Sequence, residues 1–191
     1  LLFNYTGAFM YEGDTPLAEK RAAALSLDPS LLAKLLGTVE LRELLDADII
    51  AEVDASLRRV GRAETSEQFA DTLRIVGPVP LDELSLYTTV PLNSLEQSLH
   101  GRVMRVRIGG REHIAQTLDA PLLRDGLGVP VPPGVAAQVQ TIPDALAQLV
   151  GRWVRTRGPF TLRDLADAFG LAVGAAHAAL QPLVDKDKVI P

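Results

Sequence analysis

The octapeptide GPVPLDEL at residues 77–84 recurs, with the same internal spacing, as GPFTLRDL at residues 158–165. Both copies begin with Gly-Pro and share a leucine at the fifth position, an acidic residue at the seventh and a leucine at the eighth. Each Gly-Pro follows a predicted helix, over residues 67–76 in copy one and 144–157 in copy two. Proline cannot continue a helix and restricts the residue before it, so each Gly-Pro ends that helix. We interpret the two octapeptides as an internal repeat.

The elements that follow the octapeptides also correspond. A third helix is predicted over residues 92–100 in copy one and over residues 173–184 in copy two. In copy one a basic, β-branched strand follows at residues 102–108, Gly109-Gly110 supplies a two-residue hairpin turn, and residues 111–115 return. Three short helices followed by a pair of strands is the order of elements in a winged helix.

We therefore predict a mainly α-helical chain with small β-hairpins (α+β), in which a helical N-terminal segment precedes tandem winged helices. The predicted domains are a helical segment (residues 1–60), a first winged helix (67–118), a Gly- and Pro-rich, semi-stiff connector (119–142) and a second winged helix (143–191). The second copy is expected to be truncated at its wing, whose strand would begin at Lys188–Ile190.

The composition is that of a soluble globular chain, with 47% hydrophobic and 23% charged residues among 191. No run approaches the roughly 18–20 apolar residues of a membrane span, so we expect no membrane partner. Cysteine is absent, which excludes disulfides and fits the cytoplasm. The net charge of −5 argues against non-specific coating of nucleic acid, but the acidic excess lies mainly in residues 1–60. The first residue, Leu1, and the strand-like last segment favour a fragment.

The residues indicate no catalytic and no metal site. A Gly-rich phosphate loop ending in Lys-Ser or Lys-Thr is absent from the sequence. The three histidines, His100, His113 and His177, are far apart along the chain and have no cysteine near them, which makes a zinc site improbable. We therefore predict no catalytic residue, no metal ligand and no cofactor in this chain itself.

The wing of copy one is the best candidate for binding. Arg105 and Arg107 alternate with apolar residues, so both project from one face of the strand, and Arg102 and Arg111 lie near the ends of the hairpin. Four guanidinium groups on a protruding hairpin suit contacts with nucleic-acid phosphates. The alternative is a solvated strand face with local ion pairs, for instance to Glu112.

The third helices are poor candidates for reading bases, which needs Arg, Lys, Asn or Gln aimed at base edges. Copy one offers Asn93, Gln97 and His100 beside Glu96. The third helix of copy two is rich in alanine and almost uncharged, which is typical of a surface that packs against another domain. The predicted packing residues are Ala175, Ala176, Ala179 and Leu180.

Three stretches carry a resemblance to a known family: FNYTGAFMYEGDTPLAEKRAAALSLD (residues 3–28), LRELLD (41–46) and RGPFTLRDLADAFGL (157–171). Together with GPVPLDEL they resemble the large helicase-related (Lhr) family over nearly the whole chain. The resemblance places this chain at the end of the family-specific core domain and the first winged-helix units of the C-terminal extension. The family's ATP-binding and helicase motifs have no counterpart here.

The resemblance implies a parent protein that is an ATP-dependent 3′–5′ DNA helicase, requires ATP and Mg²⁺, and acts in DNA repair. The implied partners are single-stranded or duplex DNA, with an RNA–DNA hybrid left open, the upstream helicase core, and a second copy of the chain joined through the extension. Two roles follow for this piece. It either positions nucleic acid through the arginine wing or forms a structural array that packs domains or subunits together.

Overall fold

The computed structural model describes residues 46–136 and 140–190. The chain divides into two compact units, residues 1–50 and residues 51–191, and the described residues belong almost wholly to the second. The elements predicted before residue 46 lie outside the described residues. Within the predicted helical segment of residues 1–60, the first described helix spans Ala47–Leu57.

The described chain begins with a helix and continues with the elements of a winged helix, which are followed by four more helices. None of the described helices is long and apolar enough to cross a membrane. In chain order the elements are α1 (Ala47–Leu57), α2 (Ser66–Val76), β1 (Val79–Pro80), a 3-10 segment (Leu81–Glu83), α3 (Leu84–Tyr87), α4 (Leu92–Ser98), β2 (Val103–Ile108), β3 (Arg111–Gln116), a 3-10 segment (Thr117–Asp119), α5 (Ala120–Leu127), α6 (Ala145–Val154), α7 (Leu162–Phe169) and α8 (Val173–Val184).

Local signals delimit helix α2 at both ends. The Thr65 hydroxyl accepts a hydrogen bond from the Gln68 backbone N–H (3.3 Å), and the Gln68 side-chain oxygen accepts one from the Thr65 N–H (3.1 Å). This reciprocal pair is a capping box. At the other end Gly77 adopts a φ of 88° and Pro78 follows it, so the first Gly-Pro ends α2 as the repeat predicts.

The three strands form one antiparallel sheet in the order β1-β3-β2. Gly109 and Gly110 join β2 to β3 with φ values of 57° and 82°, and positive φ at both central residues is what a two-residue type I′ turn requires. Ile108 pairs with Arg111 directly across this turn. The helix order and the sheet confirm the prediction of a mainly α-helical fold with a small β-hairpin.

Two buried clusters lie on opposite faces of the sheet. Val79 and Ile114 are buried on one face with side chains of α2, α3 and α4. Met104, Val106 and Ile108 are buried on the other face with side chains of α5 to α8. Apolar residues of the sheet are thus buried against two groups of helices, one on each face.

Helices α6, α7 and α8 follow α5 in the second group of helices. Thr161 and Asp164 cap α7 reciprocally, which repeats the capping box of α2. Gly170 ends α7 in the left-handed conformation with a φ of 64°. Trp153 of α6 is buried beside Phe169.

The region predicted as a connector, residues 119–142, contains helix α5, which the sequence interpretation missed. Proline near its start and Gly128 at its end, with a φ of 67°, are helix-boundary signals. Gly126 lies inside the helix, where an added Cβ would be 3.0 Å from the backbone nitrogen of Leu146 in α6. This glycine therefore permits close packing of two helices rather than a turn.

The described residues beyond Gln116 contain no strand. Residues 188–190, which were expected to begin a wing strand, form a bend and an irregular stretch instead. The Lys188 N–H donates to the Leu183 carbonyl (2.9 Å) and so continues the end of α8, and a strand also needs a paired neighbour. The domain boundaries and the second winged helix stay predictions.

Candidate nucleic-acid interface

The arginines of the wing project from β2 as their alternation predicts. Arg105 and Arg107 lie on one face of the strand, whereas Val106 and Ile108 are buried on the other. The side chains of Arg105 and Arg107 are 52% and 69% exposed, so solvent reaches both guanidinium groups.

Each of the four predicted wing arginines nevertheless has a carboxylate partner. The partners come from α2, from the 3-10 segment before α3, from α4 and from the neighbouring strand β3. The pairs are Arg102 with Glu67 (2.7 Å), Arg105 with both carboxylate oxygens of Glu96, Arg107 with Glu112 (3.6 Å), and Arg111 with Asp82 (2.7 Å) and Glu83 (2.9 Å).

These pairs favour the charged form of the carboxyl groups. Hydrogen bonding to Arg105 lowers the pKa of Glu96, and hydrogen bonding to Arg111 lowers the pKa of Asp82. A phosphate that approaches the wing therefore meets carboxylates that already occupy the guanidinium donors. Exposed ion pairs exchange readily with solvent, so the pairing reduces the attraction for phosphate without blocking access.

The tip of the hairpin is packed against another element. A Cβ built on Gly170, the residue that ends α7, would lie 2.2 Å from the Cα of Gly109 in the hairpin turn. The reverse construction places a Cβ of Gly109 2.8 Å from the Cα of Gly170. Gly109 of the turn thus contacts the end of α7, because neither glycine has a side chain, while both turn residues remain exposed to solvent.

Helix α4 stands where many DNA-binding domains of this type place their recognition helix. Its residues Asn93 and Gln97 are exposed, and the Asn93 side chain accepts a hydrogen bond from the Ser94 N–H (2.9 Å). Glu96 adds a negative charge on the same helix and binds Arg105. This surface therefore offers few donors to base edges and repels phosphate locally.

The predicted packing residues of α8 separate into two groups. Ala176 and Leu180 are buried in the cluster that α8 shares with α5, α6 and α7, and Ala179 packs against its edge. Ala175 faces solvent. Most of this surface therefore serves the core of its own compact unit.

An ionic cluster that the sequence interpretation missed involves the second half of α1. Asp54 accepts a hydrogen bond from the Gly158 N–H (2.7 Å), at the second Gly-Pro turn. Arg58, one helical turn further along, donates to Glu83 (3.0 Å) and to the Tyr87 hydroxyl (3.1 Å). The sequence shows that Asp54 and Arg58 are four residues apart, but this spacing indicates only an ion pair between the two and not their contacts with distant residues.

A second missed contact connects α6 to the segment before α5. Arg152 binds both carboxylate oxygens of Asp119, at 2.9 and 3.0 Å. The side chains are only 16% and 11% exposed. Asp119 resembles an ordinary connector residue in the sequence, and no local pattern indicates its partner 33 positions away.

The described residues contain no group of three or more His, Asp or Glu side chains that could hold a metal ion.

Comparison with known proteins shows the family. Residues 43–142 match the family model described as "Large helicase-related protein, winged-helix domain". The whole chain is 45% identical to the Lhr helicase/probable uracil glycosylase of Mycolicibacterium smegmatis and 35% identical to the Lhr helicase/uracil glycosylase of Escherichia coli K12. The chain spans only 13% of the length of each of these relatives. It therefore belongs to the large helicase-related family and includes that family's winged-helix domain.

Proposed function

We propose that this chain is a non-catalytic accessory segment of a helicase, and that its winged helix joins neighbouring parts of the protein into one rigid block. Both relatives are named as helicases. The sequence contains no phosphate loop, so ATP and Mg²⁺ would bind in the parent's motor, upstream of this segment. The segment would thus support the motor rather than supply its chemistry.

The observation that carries this proposal is the docking of the hairpin. A wing that contacts DNA leaves its turn free of contact with other elements of the protein. Here Val106 and Ile108 are only 7% and 4% exposed, and the turn meets Gly170. The wing therefore serves as the packing surface for the helices that follow it.

Phosphate contact by the other face of β2 is the second candidate function. Arg107 favours it, since its side chain is 69% exposed and its pair with Glu112 is long, at 3.6 Å. Such a contact would position DNA without reading its sequence. The carboxylate partners of the other three wing arginines argue against a large contribution.

Removal of the wing charges in the full-length helicase distinguishes the two functions. We compare Arg105→Gln with Arg107→Gln in one protein against the control Arg74→Gln with Arg163→Gln, which removes two exposed charges from helices α2 and α7. The packing role predicts equal single-stranded DNA affinity for both proteins at every salt concentration. A wing variant that binds more weakly, with a smaller salt slope, would establish phosphate contact instead.

The packing role itself is tested by Gly109→Ala against Gly110→Ala. Both residues have positive φ, but only the first has the α7 backbone within contact distance. We expect Gly109→Ala to lower the unwinding rate of the full-length helicase by more than Gly110→Ala. Equal rates for the two variants would show that docking of the turn does not matter for function.

The resemblance extends the proposal further. The parent would act on DNA in repair, in the cytoplasm, with duplex, single-stranded or RNA–DNA hybrid substrates reached through the motor. We also propose that two copies of the parent protein associate through its C-terminal extension.

A further inference from the structure

A cavity of about 360 Å³ opens where the two Gly-Pro turns of the repeat approach each other. Pro78 from the first turn and Pro159 from the second both line it. The other lining residues come from α1, the segment of residues 76–83, the hairpin and the stretch from α6 through α7, and all of them lie within residues 51–191. A volume of this size is at the lower end of the range of small-molecule sites, roughly 300–1,000 Å³.

One buried nitrogen of Arg157, a residue of the cavity wall, lacks a hydrogen-bond acceptor among the described residues. Arg157 lies over the ring of Trp153, with its guanidinium carbon 5.0 Å from the ring centroid. Its Nη1 atom is buried and has no hydrogen-bond partner among the described residues, and the same holds for Nε of Arg58. A buried hydrogen-bond donor without an acceptor lowers the stability of the folded state. An acceptor that enters the cavity would bond to this donor without displacing another partner.

The charges around the cavity disfavour an anion as that acceptor. Four arginines and four carboxylic acids line it, so the lining is balanced. Asp54 and Glu83 already bind Arg58, and Arg152 is held by Asp119 just outside the lining. The fixed carboxylates would therefore repel the net charge of a phosphate, whereas a neutral acceptor has no net charge for them to repel.

The apolar part of the lining suits a flat ring. Trp153 and Phe160 meet edge to face with their centroids 5.0 Å apart, and Phe160 is half-buried. Pro78 and Pro159 add further apolar wall. Aromatic and apolar walls combined with a few polar groups are the usual composition of sites for planar heterocycles.

We infer that this cavity binds the base of an unpaired nucleotide, with a carbonyl or ring nitrogen of the base accepting from Arg157 and the ring packed against the aromatic and proline walls. The lining supplies donors, acceptors and apolar surface, and its balanced charge leaves the phosphates outside. This inference does not rest on the docking of the wing.

The single tryptophan of the chain reports on the cavity directly. Fluorescence of Trp153, excited at the red edge of its absorption, is followed while the 191-residue chain is titrated with a short single-stranded DNA. The matched probe is an abasic strand of the same length, which carries the same phosphates without bases, and inorganic phosphate is the third probe. We expect saturable quenching by the strand with bases and none by the other two.

Two variants locate the binding. Arg157→Gln removes the unpartnered guanidinium and should weaken binding by about 5- to 10-fold, as expected for the loss of one hydrogen bond of about 1 kcal/mol or slightly more. Arg155→Gln removes an exposed charge from the same stretch of chain, outside the cavity lining, and should leave the affinity unchanged. Circular dichroism checks that both variants are folded.

Every other outcome overturns the inference. Equal quenching by the abasic strand or by phosphate would identify an oxyanion site. Equal weakening by both variants would identify a general electrostatic effect, and no quenching by any probe would mean that the cavity holds only water. None of these outcomes affects the proposed packing role, which the Gly109 and Gly110 variants test separately.

Discussion

The backbones of Gly109 and Gly170 meet so closely that no side chain fits between them. Gly109 lies in the hairpin turn of the winged helix, and Gly170 ends helix α7, 61 positions later. A Cβ on Gly170 would lie 2.2 Å from the Cα of Gly109 and 2.8 Å from its nitrogen. The contact joins the winged helix to the helical group that follows it, so its disruption should destabilise the whole compact unit.

Gly170→Ala should therefore destabilise the chain by more than its backbone conformation explains. Gly128 provides the matched control, since it ends α5 with nearly the same φ (67° against 64°) but has open space around it. Alanine in the left-handed region costs about 1–2 kcal/mol at either position. Overpacking adds about 1–3 kcal/mol only at Gly170. Urea unfolding of the two variants measures the difference, and equal losses would contradict the close contact.

The elements that local signals specify were predictable. The capping boxes begun by Thr65 and Thr161, the Gly-Pro that ends α2 and the Gly109-Gly110 hairpin each depend on residues adjacent in sequence. The second Gly-Pro does not end a helix directly, because α6 already ends at Val154. Alternation along β2 predicted which arginines share a face. Helix α5 was missed because proline and glycine near its ends and within it resemble a linker, although both positions also suit a helix boundary or a close helix contact.

The partners of the wing arginines could not be predicted in the same way. Glu67 lies 35 positions before Arg102, and Asp82 lies 29 positions before Arg111. Only the packing of α2 and the 3-10 segment against the hairpin brings these acids to the arginines. The burial of Val106 and Ile108 was predicted, but the helices that cover them belong to a later part of the chain.

Arg152→Met should destabilise the chain strongly, because it leaves the carboxylate of Asp119 buried without its cation. Breaking a buried ion pair lowers the free energy of unfolding by about 3–5 kcal/mol. Because the Arg152–Asp119 pair is slightly exposed, we expect a loss of roughly 2–4 kcal/mol. The control is Arg74→Met, which breaks an ion pair whose side chains are 68% and 67% exposed. That change should cost less than about 1 kcal/mol. Similar losses for both variants in urea unfolding would show that the Asp119 pair is solvated.

Asp164→Asn should reduce stability at neutral pH but not in acid. Hydrogen bonds from the Thr161 backbone and hydroxyl lower the pKa of Asp164 below its ordinary value of 3.8. The folded state thus favours the charged carboxylate. Its contribution is present above pH 3.8 and is lost as the pH falls through the lower, folded-state pKa.

The expected loss for Asp164→Asn at pH 7 is roughly 0.5–1 kcal/mol, from weaker capping and a lost charge at the start of α7. Urea unfolding at pH 7 and near pH 2.5 measures it, with Asp167→Asn on the same helix as the control for charge alone. A difference between Asp164→Asn and the parent chain that persists at low pH would show that the carboxylate is not stabilised by its cap.

Two helical glycines should respond to alanine in opposite directions. At Gly151 in α6 the nearest atom to an added Cβ is 3.9 Å away, so Gly151→Ala should stabilise the chain by about 0.5–1 kcal/mol through helix propensity. At Gly126 in α5 the added Cβ would lie 2.9 Å from a side-chain carbon of Leu149 and 3.0 Å from the Leu146 nitrogen. The same propensity gain is then outweighed by overpacking of about 1–3 kcal/mol, because the α6 backbone cannot move aside without disturbing the core. Thermal unfolding of both variants tests the sign of each change, and a stabilising Gly126→Ala would show that α5 and α6 pack less closely than the structure indicates.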